Sequence, residues 1–165
     1  MILFLDFDGV LHPEPCGDEG EFCRVSLFWQ VLRTCPNVSV VFSTSWRSLH
    51  RPEELLAFAT TGGGEDLIHR FIGSTPSIVQ EQGKNITGRV YKREAECLEW
   101  LRHHGGQKQP WLALDDFVVD FRGSNLYAVD RRTGLTEADV AAIIQRIQPF
   151  ELVSNPHKLP NGKSG

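Results

Sequence analysis

Two short apolar runs, each closed by a pair of acids, constrain this chain more than any other feature. Ile2-Leu3-Phe4-Leu5 leads into Asp6-Phe7-Asp8-Gly9, and Trp111-Leu112-Ala113-Leu114 leads into Asp115-Asp116. A continuous apolar run of that length suits a strand buried on both faces, the kind found in parallel sheets covered by helices. In such sheets ligands bind outside the carboxyl ends of the strands, where these acids stand. Asp6 and Asp8 are two apart, so they share a face for as long as the strand lasts. Gly9 then permits a sharp exit. Turns favour Asp, so a single pair could simply end a strand. Two pairs, each on a buried strand, would repel strongly unless a cation lay among them. An oxygen-only cluster suits Mg²⁺, which keeps several waters and accepts phosphate oxygens.

The remaining pattern alternates helix and strand. Leu27, Phe28, Val31, Leu32 and Cys35 recur at helical spacing, with Ser26 as the candidate N-cap. Residues 38–42 are rich in valine and strand-like. Pro52-Glu53-Glu54 opens a helix that should run to about Ala59, before Gly62-Gly63-Gly64. Residues 68–72 read as a short strand. Cys97, Trp100, Leu101 and His104 mark a helix closed by Gly105-Gly106, and 126–129 a further strand. Thr136 caps a last helix whose Val140, Ile143, Ile144 and Ile147 form one stripe. The expectation is an α/β domain over residues 1–150, a three-layer Rossmann-like parallel sheet, followed by a tail over 151–165.

A chain of 165 residues has room for one such domain. Its net charge of −4 argues against gripping nucleic acid through a broad basic face. No apolar run is long enough to span a bilayer, and the start lacks a basic region and a small-residue cleavage site. A soluble cytoplasmic domain, with no membrane partner, is the expectation. The four cysteines (Cys16, Cys23, Cys35 and Cys97) form no CxxC, so reduced, mostly structural thiols are expected.

Asp6-Phe7-Asp8-Gly9-Val10-Leu11 resembles the first motif of the haloacid dehalogenase (HAD) superfamily. The apolar strand ending at Ser43 is similar to its second motif, Lys92 to its third-motif lysine, and Asp115-Asp116 with Asp120 to its fourth, DDxxxD. Ser43-Thr44-Ser45-Trp46-Arg47, Ile72-Gly73-Ser74-Thr75-Pro76 and Gly134-Leu135-Thr136 further resemble the small HAD domains related to Swiss-army-knife RNA-repair proteins.

The resemblance implies a Mg²⁺-dependent phosphomonoester hydrolase. Asp6 would be the nucleophile that forms an aspartyl-phosphate, and Asp8 the acid and base. Asp6, Asp116 and the Asp8 carbonyl would hold the metal, with Asp115 and Asp120 acting through water or orienting the site. Asp120 has the alternative of an ordinary loop carboxylate. Ser43 would donate to a phosphoryl oxygen beside the Thr44 amide. Lys92 would pair with Asp6, although Arg93, one helical step on, could take that role. Arg47 reads equally as a phosphate contact or a surface salt bridge, Trp46 as a packing anchor, and His12 as an exposed loop residue near the mouth. The acid at position 8 favours phosphatase or phosphotransferase over dehalogenase.

Two short slots, 10–25 and 74–91, are where the family inserts caps, and neither can build a second core. An open site suits an accessible terminal phosphate on a large partner, a nucleic-acid end or a phosphoprotein. Lys84, Arg89, Lys92 and Arg93, with no acid among them, hint at the former, though a solvated loop has the same composition. A non-catalytic or receiver-like phosphate-binding domain is the alternative from another class, and a small-metabolite phosphatase the alternative within catalysis. The oligomeric state is left open.

Overall fold

The computed structural model describes residues 1–78 and 91–153. Its five described strands, β1 (Ile2–Leu5), β2 (Ser39–Phe42), β3 (Phe71–Ser74), β4 (Trp111–Asp115) and β5 (Leu126–Ala128), form one parallel sheet in the order β3-β2-β1-β4-β5. Side chains alternate between its faces. Leu3, Leu5, Val40, Phe42, Leu112 and Leu114 pack against α1 (Val25–Thr34), α2 (Pro52–Thr60) and α4 (Glu137–Val153). Ile2, Phe4, Val41 and Ala113 pack on the other side, against Cys97, Trp100 and Leu101 of α3 (Lys92–His103). Strands sandwiched in this way have no solvated face, which is why their sequences are continuous rather than alternating. This is the expected three-layer Rossmann-like α/β architecture, with no separate cap among the described residues. Lys84 and Arg89, and most of the second cap slot, lie outside those residues.

Three expectations need correction. Residues 68–72 are not one strand: Glu65–Arg70 is a 3₁₀ turn, and β3 begins only at Phe71. The cause is Arg70, whose buried guanidinium donates to the carbonyls of Leu32, Cys35 and Val38 and so ties the turn to the end of α1. Ser26 is not a cap, because α1 starts one residue earlier. The last helix also passes the expected boundary at 150. It includes Pro149 and Glu151, whose carboxylate accepts from the Asn37 amide (3.0 Å) and the Asn37 side chain (2.7 Å). Residues 154–165 of the expected tail lie outside the described residues. All four cysteines are free thiols, Cys35 and Cys97 buried, Cys16 exposed. No described helix is long and apolar enough to cross a membrane.

Candidate active site

The sheet register builds the site. Leu5 is paired with Leu114, and the Asp6 amide continues the ladder onto the Leu114 carbonyl (3.1 Å), so Asp6 and Asp115 come side by side. Both continue the alternation of Phe4 and Ala113 and therefore turn toward α3. Asp116 follows, and one oxygen from each of Asp6, Asp115 and Asp116 lies within 4.8 Å of the others. Gly9, at φ +67°, lets the loop after β1 press onto Asp116: a Cβ there would lie 2.7 Å from the Asp116 Cγ. β1 is the strand from which the sheet grows in both directions, so the cluster sits at the topological switch point.

Of the adjacent pair Lys92 and Arg93 it is Arg93 that faces the cluster, and a second cation, Arg131, places its Nε 3.3 Å from Asp116 Oδ2. Arg93 Nη1 lies 3.1 Å from Asp6 Oδ2 and 3.5 Å from Asp115 Oδ2, and it donates to the Ser43 carbonyl. Lys92, the first residue of α3, is exposed on the rim of the adjacent cleft. Neighbouring helical residues differ by roughly 100°, so only one of the two can face the sheet.

Burial first, and then the Asp115 carboxylate, push the Asp6 carboxyl well above the ordinary range, against the pull of Arg93. Burial likewise raises Asp115 and Asp116. Three crowded carboxylates resist ionising together unless a cation compensates them. The donors are all oxygen, and Asp115 Oδ2 is buried without a hydrogen-bond partner. The cluster therefore fits a small, hard metal ion.

Asp8 stands apart from this cluster. Its carboxylate accepts from the Trp46 indole Nε1, 3.0 Å from each oxygen, and from His12 Nε2 at 3.2 Å on Oδ1. The His12 hydrogen bond holds the Asp8 carboxyl below the usual range, with burial opposing and the indole assisting. The Asp8 side chain is thus not a ligand of the three-acid cluster, which leaves its backbone carbonyl for the role the resemblance implies. His12 is not an exposed loop histidine; it is 3% exposed and bound to Asp8. Trp46 packs among Phe7, Phe22 and Phe58, the anchor expected of it, and also donates to Asp8. No spacing in the sequence signals the Trp46 contact, 38 residues from Asp8, whereas His12 is only four residues from Asp8 in the same loop.

Ser43 is buried at the end of β2, its amide on the Leu5 carbonyl (2.7 Å) and its Oγ 3.8 Å from Cys97 Sγ, on the α3 side with Asp6. Thr44 Oγ1 accepts from the Trp46 amide and caps the 3₁₀ turn Ser45–Ser48. The salt bridge of Arg47 is buried and not on the surface. Arg47 pairs with Glu96 at 2.6 Å and also donates to the Thr44 carbonyl. A cleft of about 340 Å³ opens beside the cluster, lined by Ser45, Arg47, Ser48, Ser77, Lys92, Arg93, Glu96, Phe117 and Asp120. Asp120 faces this cleft and is not one of the three clustered acids.

No curated protein and no solved structure matches the chain. One family model does, over residues 2–140, described as the HAD domain in Swiss Army Knife RNA repair proteins. With the acid cluster at the switch point and that match over most of its length, the chain belongs to this family of HAD domains.

Proposed function

We propose that this protein is a Mg²⁺-dependent phosphomonoester hydrolase working through an aspartyl-phosphate on Asp6. The observation that carries the reading is the register-built juxtaposition of Asp6, Asp115 and Asp116 at the carboxyl end of β1, with Arg93 across from Asp6. Asp6, Asp116 and the Asp8 carbonyl, with Asp115 behind them, would hold Mg²⁺, which when bound neutralises charge on the phosphoryl oxygens. An Asp6 carboxyl pushed up by burial is a poor nucleophile by itself, which supports a requirement for a cation. An Asp6 oxygen attacks phosphorus and the bond to the leaving oxygen breaks. Asp8, ionised at rest, needs to take up a proton as the anionic phosphate enters, and it gives the leaving oxygen that proton. Water then attacks the phosphorus of the acyl phosphate, Asp8 takes the water's proton, and Asp6 is released. Arg93 pairs with Asp6 and then with the phosphoryl group, and the Ser43 hydroxyl and Thr44 amide border the same space.

The substrate in this reading is an accessible terminal phosphate on a large molecule. Support comes from the open cleft and the lack of a cap among the described residues. The family's occurrence in RNA repair proteins favours a nucleic-acid end over a phosphoprotein. The test is hydrolysis of an aryl phosphate with Mg²⁺, with chelator, and by Asp6→Asn. Activity should fall to background in the second and third cases, because Asn keeps the size but not the attacking charge. Near-normal turnover by Asp6→Asn sinks the mechanism.

A further inference from the structure

We infer that His12 and Trp46 are positioning residues for Asp8, clamping its carboxylate so that Oδ1 is committed to the protein and Oδ2 carries the proton to and from the substrate. The inference rests on the hydrolase reading above and adds to it a division of labour between the two oxygens of one side chain.

The geometry begins with the Phe22 amide. It donates to His12 Nδ1 at 3.3 Å, and an amide N–H can only donate, so Nδ1 must accept. The imidazole hydrogen therefore resides on Nε2, where it points at Asp8 Oδ1, 3.2 Å away. Trp46 Nε1 has one hydrogen and no acceptor capacity, and it bridges both Asp8 oxygens. Oδ1 thus accepts from two donors and Oδ2 from a share of one. The oxygen with the freer lone pair is the one able to exchange a proton with a leaving alkoxide or an incoming water.

The clamp is rigid for a reason visible in its packing. His12 is almost wholly buried, edge-on to Phe22 at 5.2 Å. The Trp46 ring is held by Phe7, Phe22 and Phe58. Phe22 itself sits at φ +59°, a conformation rare for a bulky residue, which turns its amide onto the imidazole. An acid must lie within hydrogen-bond reach of its proton's destination, and a floppy carboxylate would spend most of its time elsewhere.

Two measurements on the whole protein decide the matter. The first compares kcat/KM for an aryl and an alkyl phosphate, since only the poor alkyl leaving group needs a proton. That ratio reports the steps through departure of the leaving group and not the later hydrolysis common to both. Trp46→Phe and His12→Phe keep an aromatic ring and remove the donor. Each should lower kcat/KM for the alkyl ester roughly tenfold, part of what a general acid supplies, with a much smaller loss in kcat/KM for the aryl ester. His12→Gln, whose amide can still donate to Oδ1, should recover most of the loss. In an Asp8→Asn background the same changes should add no further discrimination. Equal losses on both esters, or further discrimination without Asp8, would overturn the inference.

The second measurement does not depend on activity. By NMR the Trp46 indole proton, assigned through Trp46→Phe, should exchange slowly and His12 should be the Nε2–H tautomer, and Asp8→Ala should abolish the indole's protection. A freely exchanging indole, or one indifferent to Asp8→Ala, overturns the clamp even if the enzyme is active. A wild-type protein that hydrolyses neither ester refutes the hydrolase reading instead, and the exchange data still decide the clamp.

Discussion

Lys92 and Arg93 are adjacent cations at the start of one helix, and the chemistry turns on which of them faces inward. The sequence places a cation before the fourth motif, but not the helical phase, because the residues preceding α3 have no capping signal and α3 begins without a side-chain cap. Only the packing of Cys97, Trp100 and Leu101 against the sheet sets the rotation that brings Arg93 to Asp6. Arg93→Ala should therefore lower kcat by two orders of magnitude or so, the scale of losing one charge-stabilising donor. Lys92→Ala should stay within about threefold, and the reverse ranking would reassign the role. The acids themselves were legible, because apolar runs ending in carboxylates are a local pattern. The Trp46 contact was not, since it depends on where the loop after β2 returns, and the His12 contact, four residues from Asp8, depends on the turn that the loop after β1 makes. Asp6 also makes a pH prediction. Its folded carboxyl keeps its proton to higher pH than the unfolded one, which ionises from about pH 4. Between those values the native state binds more protons, so metal-free stability falls as pH rises. Thermal melts with chelator should show this slope flattened in Asp6→Asn, and an unchanged slope would assign the effect elsewhere.

Among the elements, α3 carries most of the coupling between sheet and site. Arg93 reaches Asp6 and the Ser43 carbonyl, Glu94 accepts from the Arg122 amide (3.0 Å), and Glu96 holds both Arg47 and the Ile78 amide (3.1 Å). One helix thus fastens the loops that follow β2, β3 and β4. The Arg47–Glu96 pair is buried on both sides, with side chains 10% and 2% exposed, so its rupture leaves a desolvated charge. Glu96→Ala should cost roughly 3–5 kcal/mol in urea unfolding, the usual penalty for removing one partner of a buried pair. Glu96→Gln keeps an acceptor for Arg47 and should cost less; equal stability of Glu96→Ala and wild type would show the pair to be solvated. Helical periodicity made α1, α3 and the body of α4 readable, end signals made α2 readable, and short apolar runs the three inner strands. The edge strand β3 was misplaced because Ile68, Phe71 and Ile72 read as one stretch although Ile68 belongs to a turn, and only the buried Arg70 distinguishes the two. The end of α4 was missed because the stretch 151–165, rich in Pro, Asn, Gly and Lys, reads as a tail, while the Asn37–Glu151 contact is long-range.

At the scale of the whole molecule, alternating apolar strands and helices made the three-layer fold readable, and the switch point followed from the acids. What the site accepts depends on what surrounds its mouth. The loop after β1 does not rise over the site as a cap. It is tied down by Arg24 to Leu11, Leu135 to Val10 and Glu14 to Arg131 backbone bonds, which hold it against the α4 side of the domain. The cleft by the cluster opens between three serines and Lys92, with Phe117, Val118 and Val119 exposed after β4. Such a rim lets a phosphate at the end of a long chain approach, and contacts to the chain can be used in the transition state. A panel of 3′- and 5′-phosphorylated oligonucleotides, phosphopeptides, nucleotides and sugar phosphates, compared by kcat/KM at one Mg²⁺ concentration, tests this. An end-phosphorylated oligonucleotide should exceed the free nucleotide by tenfold or more, about 1.4 kcal/mol of transition-state binding. With 17 Lys and Arg outnumbered by 21 Asp and Glu, the chain has no net basic excess to draw a phosphate backbone, so that advantage should fall only shallowly with salt. A steep salt dependence would show that a local basic surface, and not the net charge, governs binding. A sugar phosphate that wins by the same tenfold margin would show the mouth to be selective for small molecules, and the inference from an open rim to a large substrate would fail.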